Sequence, residues 1–434
     1  MSTFGHLFRV TTFGESHCAS VGAIIDGCPP GLTLSPEDIQ IQLDRRRPGQ
    51  SDLTTPVRKH TLHPSPIQSL IHIVSSFQRN EKDRVHLQSG LELGVTLGTP
   101  IALLVKNEDQ RPHDYSETDL YPRPSHADYT YLEKYGVKAS SGGGRSSARE
   151  TIGRVAAGAI AEKYLKTAFG IEVVAFVSSV GKINIPFSVP SSSPSNEDED
   201  DVEDALSEEF RNLLATVTRD QVDRHATRCP HPETAERMTQ RIIRAKDASD
   251  SIGGTVTCVI RNVPSGLGEP CFDKFEATLA HAMLSIPATK AFEIGSGFRG
   301  TQVPGSKHND AFVRTETGNG KLRTKTNWSG GVQGGITNGE DIYFRIGFKS
   351  PATISQAQST AQYDGTLGSL AARGRHDPCV VPRAVPIVEA MASLVVMDQL
   401  LIQNARKTAA SLLPPITTLP PTMVIPGAGA GTLK

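Results

Sequence analysis

Apolar side chains after Ala148 fall at Ile152, Val155, Ala156, Ala159, Ile160 and Tyr164, the three-and-four spacing that lines one face of a helix. Val385 to Ala405, with Ile387, Met391, Leu394, Val395 and Leu401, predicts a second and more apolar helix. A third opens at Ser35-Pro36-Glu37-Asp38, where Ser35 suits the cap, Pro36 the first turn and Asp38 the acidic position of a capping box. Ile39 and Leu43 follow, Arg45-Arg46-Arg47 brings the helix to a loop, and Pro48-Gly49 ends it. Leu7 to Ile25 reads as strand, polar turn and strand, with Gly14-Glu15-Ser16-His17 in the turn. Gly254 to Ile260 and Ile342 to Phe348 are further strands. Strands and helices come in blocks rather than as regular β-α units, which predicts α+β instead of a doubly wound sheet.

Some stretches carry no such pattern. Pro186 to Asp204 is rich in Pro and Ser and then acidic, a solvated loop by composition. Pro414 to Lys434 reads as a disordered tail. Val57 to Gln78 carries His60, His63 and His72 without a cap or a clean period; the irregular spacing and lack of acidic residues among them argue against a metal site.

Length alone, 434 residues, suggests two or three domains of roughly 150 residues each. A net charge of -1 excludes bulk electrostatic binding to nucleic acid or an anionic membrane, so anion recognition must come from local clusters. Six scattered cysteines without a C-x-x-C pair fit neither a zinc site nor a disulfide framework and suit a reducing compartment. The first residues lack an apolar signal segment, and Asp398 interrupts the longest apolar run, so a cytoplasmic location is expected.

The strongest chemical lead is Gly142-Gly143-Gly144-Arg145-Ser146-Ser147, ahead of a helix. Glycines let backbone N–H groups form a concave nest, and the hydroxyls and the guanidinium groups of Arg145 and Arg149 suit a phosphate or carboxylate. The same run also suits a flexible turn with a capped helix. It is not a P-loop, because no Lys-Ser/Thr pair follows. The arginine triplet fits either a solvated face or bidentate anion capture. His17 and His126, in polar loops, are either structural or suited to moving protons near neutral pH. Arg375-His376-Asp377 sets a cation, an imidazole and a carboxylate side by side.

Together these segments resemble the chorismate synthase family. Gly14-Glu15-Ser16-His17-Cys18 running to Asp26-Gly27-Cys28-Pro29, Gly144-Arg145-Ser146-Ser147-Ala148-Arg149-Glu150-Thr151, and Arg375-His376-Asp377-Pro378-Cys379 continuing to Val388-Glu389-Ala390 match its signatures. Arg45 to Gly49, Arg123 to Asp128 and Ser329 to Ile336 also look like the family's. The likeness spans residues 4 to 413 and is nearest to fungal members. It implies one domain over 1–413, a β-α-β sandwich with helices between antiparallel sheets, replacing the multi-domain expectation, and a homotetramer. It also implies a lyase that eliminates phosphate from 5-enolpyruvylshikimate 3-phosphate to give chorismate, with reduced FMN. Fungal members commonly reduce FMN themselves with NADPH.

By the resemblance, His17 protonates the leaving phosphate, His126 protonates reduced flavin, and Asp377 assists proton removal through the flavin. Arg46, Arg149 and Ser16 are expected at the substrate. Arg145, Ser146, Ser147, Pro287, Ala288, Gly334, Lys349, Ser350, Pro351, Ala352, Thr353 and Arg375 are expected at the flavin, and no metal is expected. Asp52 stands where some bacterial members carry an arginine, a departure at the nucleotide site. Close fungal sequences lack the segment 57–78, which reads as an inserted loop or a retained intron. A flavin reductase without lyase activity and a non-catalytic anion- or flavin-binding protein remain as alternatives; finding His17, His126 and Asp377 together favours the lyase.

Overall fold

The structure is a computed structural model that describes residues 2–47, 83–107, 120–137, 143–187, 207–314, 322–372 and 377–414. Segment 57–78, Asp52, Gly142, Arg375, residues 188–204 of the acidic stretch and 415–434 of the tail lie outside the described residues.

Two five-stranded sheets enclose a layer of helices. The first contains β1 (Thr3–Phe4), β2 (Arg9–Phe13), β3 (Ser20–Asp26), β4 (Val85–Leu87) and β5 (Ile101–Lys106), in the order β1-β2-β3-β5-β4. The second contains β6 (Glu172–Val180), β7 (Ile183–Asn184), β8 (Gly254–Arg261), β9 (Thr289–Ile294) and β10 (Ile342–Phe348), in the order β9-β10-β8-β6-β7. Every neighbouring pair in both sheets is antiparallel. The helices packed with the sheets include α1 (Pro36–Arg46), α2 (Thr151–Phe169), α3 (Phe275–Leu284) and α4 (Val381–Ser411). Helix α2 touches β2, β3 and β5 on one side and β6 on the other, while α4 packs on β6 and β8. This is the expected α+β sandwich. Its core extends along the chain from Phe8 to Leu400.

Local chemistry explains the element ends. The capping box of α1 forms, with Ser35 N donating to Asp38 Oδ2 at 2.8 Å. Helix α2 begins at Thr151 rather than Ala148. Ser147 is extended (φ -70°, ψ 144°) and its Oγ accepts from Arg149 N, so a short 3₁₀ turn, Ala148–Glu150, precedes the helix. The apolar stripe is as expected. Helix α4 is longer than predicted because its prolines are accommodated: Pro382 lies in the first turn, and Pro386 supplies no N–H for the Pro382 carbonyl. Arg228 Nη1 donates to that carbonyl at 2.7 Å instead.

Gly158 lets α2 and α4 cross closely, since a Cβ there would lie 2.4 Å from Ala390 Cβ. Helix α4 is long and apolar enough to span a membrane, yet 89% of its apolar 18-residue stretch is buried inside the protein. Asp398 on it accepts backbone hydrogen bonds from His6, Leu7 and Phe8, anchoring the N-terminal segment to the helix layer.

Candidate functional site

Two consecutive glycines join the two histidine loops. His17 is half-buried in the turn between β2 and β3, with Nδ1 2.9 Å from Ser16 Oγ. Ser16 N donates to Gly144 O at 3.3 Å. Gly143 and Gly144 have φ of 83° and 54°. A Cβ on Gly143 would sit 3.0 Å from His126 Cε1 and 3.3 Å from Arg123 Nη2. The glycine run is thus held between both loops, where only a residue without a side chain fits easily. His17 and His126 flank one short piece of backbone.

His126 is tightly oriented. Its Nδ1 lies 2.8 Å from Asp128 Oδ1 and 3.1 Å from Arg123 Nη2. Asp128 only accepts and Arg123 only donates; Arg123 Nη2 has its shorter bond to Asp128 Oδ1 at 2.8 Å, which assigns the hydrogen on Nδ1 to the bond with Asp128. Arg123 also donates to Asp128 through Nε (2.7 Å) and Nη2 (2.8 Å). Burial pushes the Asp128 carboxyl up, but hydrogen bonds from Arg123 and His126 outweigh it and hold it well below the usual range. The loop also meets the segment 349–353: Lys349 Nζ donates to Ser125 O at 3.1 Å, and Arg123 Nη1 lies 3.5 Å from Thr353 Oγ1. Lys349 N donates to the carbonyl of Ala288, which has a φ of 70°. Burial, then the neighbouring Lys290, pull the Lys349 ammonium below its usual range.

Asp377 is tied to the same wall. Ile252 N donates to Pro378 O at 2.8 Å, and Ser251 Oγ donates to Pro351 O at 2.7 Å. Asp377 itself pairs with Arg383 in the first turn of α4. Pro351, Ala352 and Thr353 therefore lie in a segment linked to both Asp377 and His126.

Arg46 and Arg149 converge on a carboxylate that the sequence reading missed. Asp83, with its side chain fully buried, pairs with Arg46 Nη1 at 2.9 Å through Oδ2 and with Arg149 Nη1 at 2.6 Å through Oδ1. Arg46 also donates through Nε to Thr151 Oγ1 and through Nη2 to Ala148 O. Arg149 donates to Asn107 Oδ1 and Lys106 O. Burial pulls Arg46 down to about 9 although Asp83 opposes it, so the group stays charged at neutral pH. Burial pushes Asp83 up, but Arg46 and Arg149 outweigh it and lower its pKa. Arg383 is close enough to act on both Arg46 and Asp83.

Other expected site residues have mainly local partners in this structure. Arg145 clamps the His17 loop, donating to Gly14 O (2.9 Å), Thr12 O (3.1 Å) and Thr12 Oγ1 (2.6 Å). Ser146 Oγ donates to Gly143 O, and Ser147 Oγ accepts from Arg149 N. Gly334 forms the turn of a hairpin (332–337) packed on the start of α3, where Phe275 N donates to Gly335 O. Asp83, Asn107, Arg123, Asp128 and Arg383 were not assigned roles from sequence. Arg123 and Asp128 stood in the His126 motif; the others had no local signal.

Fold and site together define an α+β enzyme with convergent arginines and two imidazoles beside a glycine loop. A family profile described as "Chorismate synthase" matches residues 8–62 and 68–401, its gap falling inside the segment 57–78. The chain is 66% identical over 415 residues to "Chorismate synthase" of Schizosaccharomyces pombe, covering 95% of this chain and 99% of that protein. It is 60% identical over 414 residues to the chorismate synthase of Saccharomyces cerevisiae, covering 95% of this chain and 100% of that one. The solved structure titled "Crystal Structure of Chorismate Synthase" matches with a TM-score of 0.64 and 28% identity, covering 92% and 93% of the two chains. The chain belongs to the chorismate synthase family, and it is a lyase.

Proposed function

We propose that the chain eliminates phosphate from 5-enolpyruvylshikimate 3-phosphate to give chorismate, using reduced FMN, and that it also reduces FMN with NADPH. The observation that carries the reading is the placement of the His17 and His126 loops on Gly143 and Gly144. The residues fit a flavin: the Gly143–Gly144 turn and Ala288, all at positive φ, supply a close-approach surface, and Lys349 supplies positive charge for a planar, anionic group. When bound, reduced flavin supplies the electronic chemistry of the elimination.

The chain's residues do the rest. Arg46 and Arg149 set the positive potential for a substrate with two carboxylates and a phosphate. Ser16 lies in the His17 turn, which Asn107 ties to Arg149. His17, with Nδ1 paired to Ser16 Oγ, transfers its proton at Nε2 as charge develops on the leaving phosphate. His126 is fixed at Nδ1 by Asp128, which assigns proton transfer to its Nε2. Asp377, held by Arg383, takes part in removing the substrate proton. A homotetramer would cover exposed apolar side chains such as Leu93, Phe272 and Phe298. Six free thiols suit a cytoplasmic location.

Phosphate release measured anaerobically with prereduced FMN, and separately with oxidised FMN and NADPH, tests both activities. Release in both reactions is the expected result. Release with prereduced flavin alone removes the reductase, and release in neither overturns the proposal.

A further inference from the structure

We propose that Asp83 is a positioning residue for substrate binding, its carboxylate setting Arg46 and Arg149 side by side as one anion-binding pair. The inference rests on the reading of those two arginines given above and adds the group that fixes their spacing.

Three observations carry it. First, each Asp83 oxygen takes one guanidinium, Oδ2 from Arg46 and Oδ1 from Arg149, so the carboxylate bridges two elements that are remote in sequence. Second, both arginines are anchored again on their other donors, by Thr151 Oγ1 and Ala148 O for Arg46 and by Asn107 Oδ1 and Lys106 O for Arg149. With these anchors the guanidinium planes have little freedom to reorient. Third, Asp83 has a φ of 47°, a left-handed conformation that costs energy for a residue with a Cβ, though Asp and Asn tolerate it best. Gln40 holds it there: its Nε2 donates to Asp83 O at 3.2 Å and its Oε1 accepts from Val85 N at 3.1 Å.

Electrostatics alone gives Asp83 the opposite role. A carboxylate between two arginines cancels part of their field, and removing it should tighten binding of an acidic substrate. Geometry predicts the reverse. Arg46 and Arg149 are 2% and 5% exposed with all three nitrogens of each donating to protein, so an anion meets them only in the one arrangement that those bonds leave, and Asp83 sets it. The two accounts differ in sign.

The test uses full-length protein with prereduced FMN, following KM for 5-enolpyruvylshikimate 3-phosphate, kcat, and inhibition by inorganic phosphate. Asp83→Asn keeps the shape and the tolerance for positive φ while removing the charge. KM is expected to rise by roughly tenfold or more, with kcat changed far less and phosphate inhibition weakened in parallel. If Asp83→Asn does not fold, Asp83→Glu decides the question: it keeps the charge but displaces the carboxylate, so electrostatics alone predicts an unchanged KM whereas positioning predicts a KM-selective rise. An unchanged or lower KM in a folded variant overturns the proposal, as does a fall in melting temperature with KM intact. Wild-type protein that releases no phosphate would instead overturn the functional reading itself.

Discussion

Arg45 and Arg46 are adjacent on α1, yet they enter two different charge clusters, because successive helical side chains point about 100° apart. Arg45 pairs with Glu389 and with Asp223 (2.6 Å). Arg219 pairs with Glu162 (2.7 Å) and Glu389 (3.2 Å), and Arg228 with Asp223 (3.2 Å). Three arginines there meet three carboxylates. In the other cluster Asp83 is shared by Arg46 and Arg149, two guanidinium groups to one carboxylate among the described residues, while Asp377 pairs with Arg383. A balanced cluster cross-links elements: Glu389 on α4 also accepts from Ala175 N on β6. An unbalanced one attracts an anion. Neighbours in sequence thus separate into structural and site roles through the partners that the fold supplies.

The largest expected effect lies in the balanced cluster. Burial pushes the Glu389 carboxyl up, but Arg219 and Arg45 outweigh it and lower its pKa, so the group is ionised at neutral pH. Glu389→Gln removes a fully buried carboxylate from two partly buried guanidinium groups, Arg45 and Arg219, and should cost up to about 3–5 kcal/mol, read from the midpoint of urea unfolding. KM of the protein that remains folded should match wild type. A KM rise like that expected for Asp83→Asn would erase the distinction between the clusters.

Next in size is the effect of Asp128, which belongs to neither cluster but holds His126. Asp128→Asn exchanges an acceptor-only group for one that can also donate, and the imidazole loses its fixed tautomer. Turnover is expected to fall roughly a hundredfold, with little change in KM. This complements the Asp83 effect, which falls on KM. Full turnover in the Asn variant would mean that His126 moves no proton in the rate-limiting sequence.

Much of this arrangement was legible in the sequence, because capping, periodicity and glycine-rich turns are local. The strands at Gly254 and Ile342, the cap at Ser35 and the stripe from Ile152 needed no partner to be read. The His17 and His126 motifs carried their own neighbours, including Asp128. Asp83 did not. It follows a stretch without pattern, and its importance arises only when strand pairing and helix packing bring Arg46 and Arg149 to it. Arg145 shows a further role: a guanidinium beside three glycines reads as an anion ligand, and in the fold it also ties down carbonyls of the His17 loop, which no local pattern announces. Sequence exposes the donor, and only the fold decides which acceptor reaches it first.

The smallest effect provides the finest comparison between stability and positioning. Thr151 is fully buried at the start of α2; its Oγ1 accepts from Arg46 Nε at 3.1 Å and donates to Ala148 O at 2.6 Å. Thr151→Val keeps the shape and removes both bonds, which should cost about 1–2 kcal/mol in unfolding free energy. Because Arg46 also loses one of its anchors, KM should rise measurably but by less than with Asp83→Asn. Thr151→Ser restores the hydroxyl and should recover KM while leaving a small stability loss from the missing methyl group. If Ser recovers stability but not KM, the hydroxyl does not hold Arg46 in register, and the spacing of the arginine pair rests on Asp83 alone.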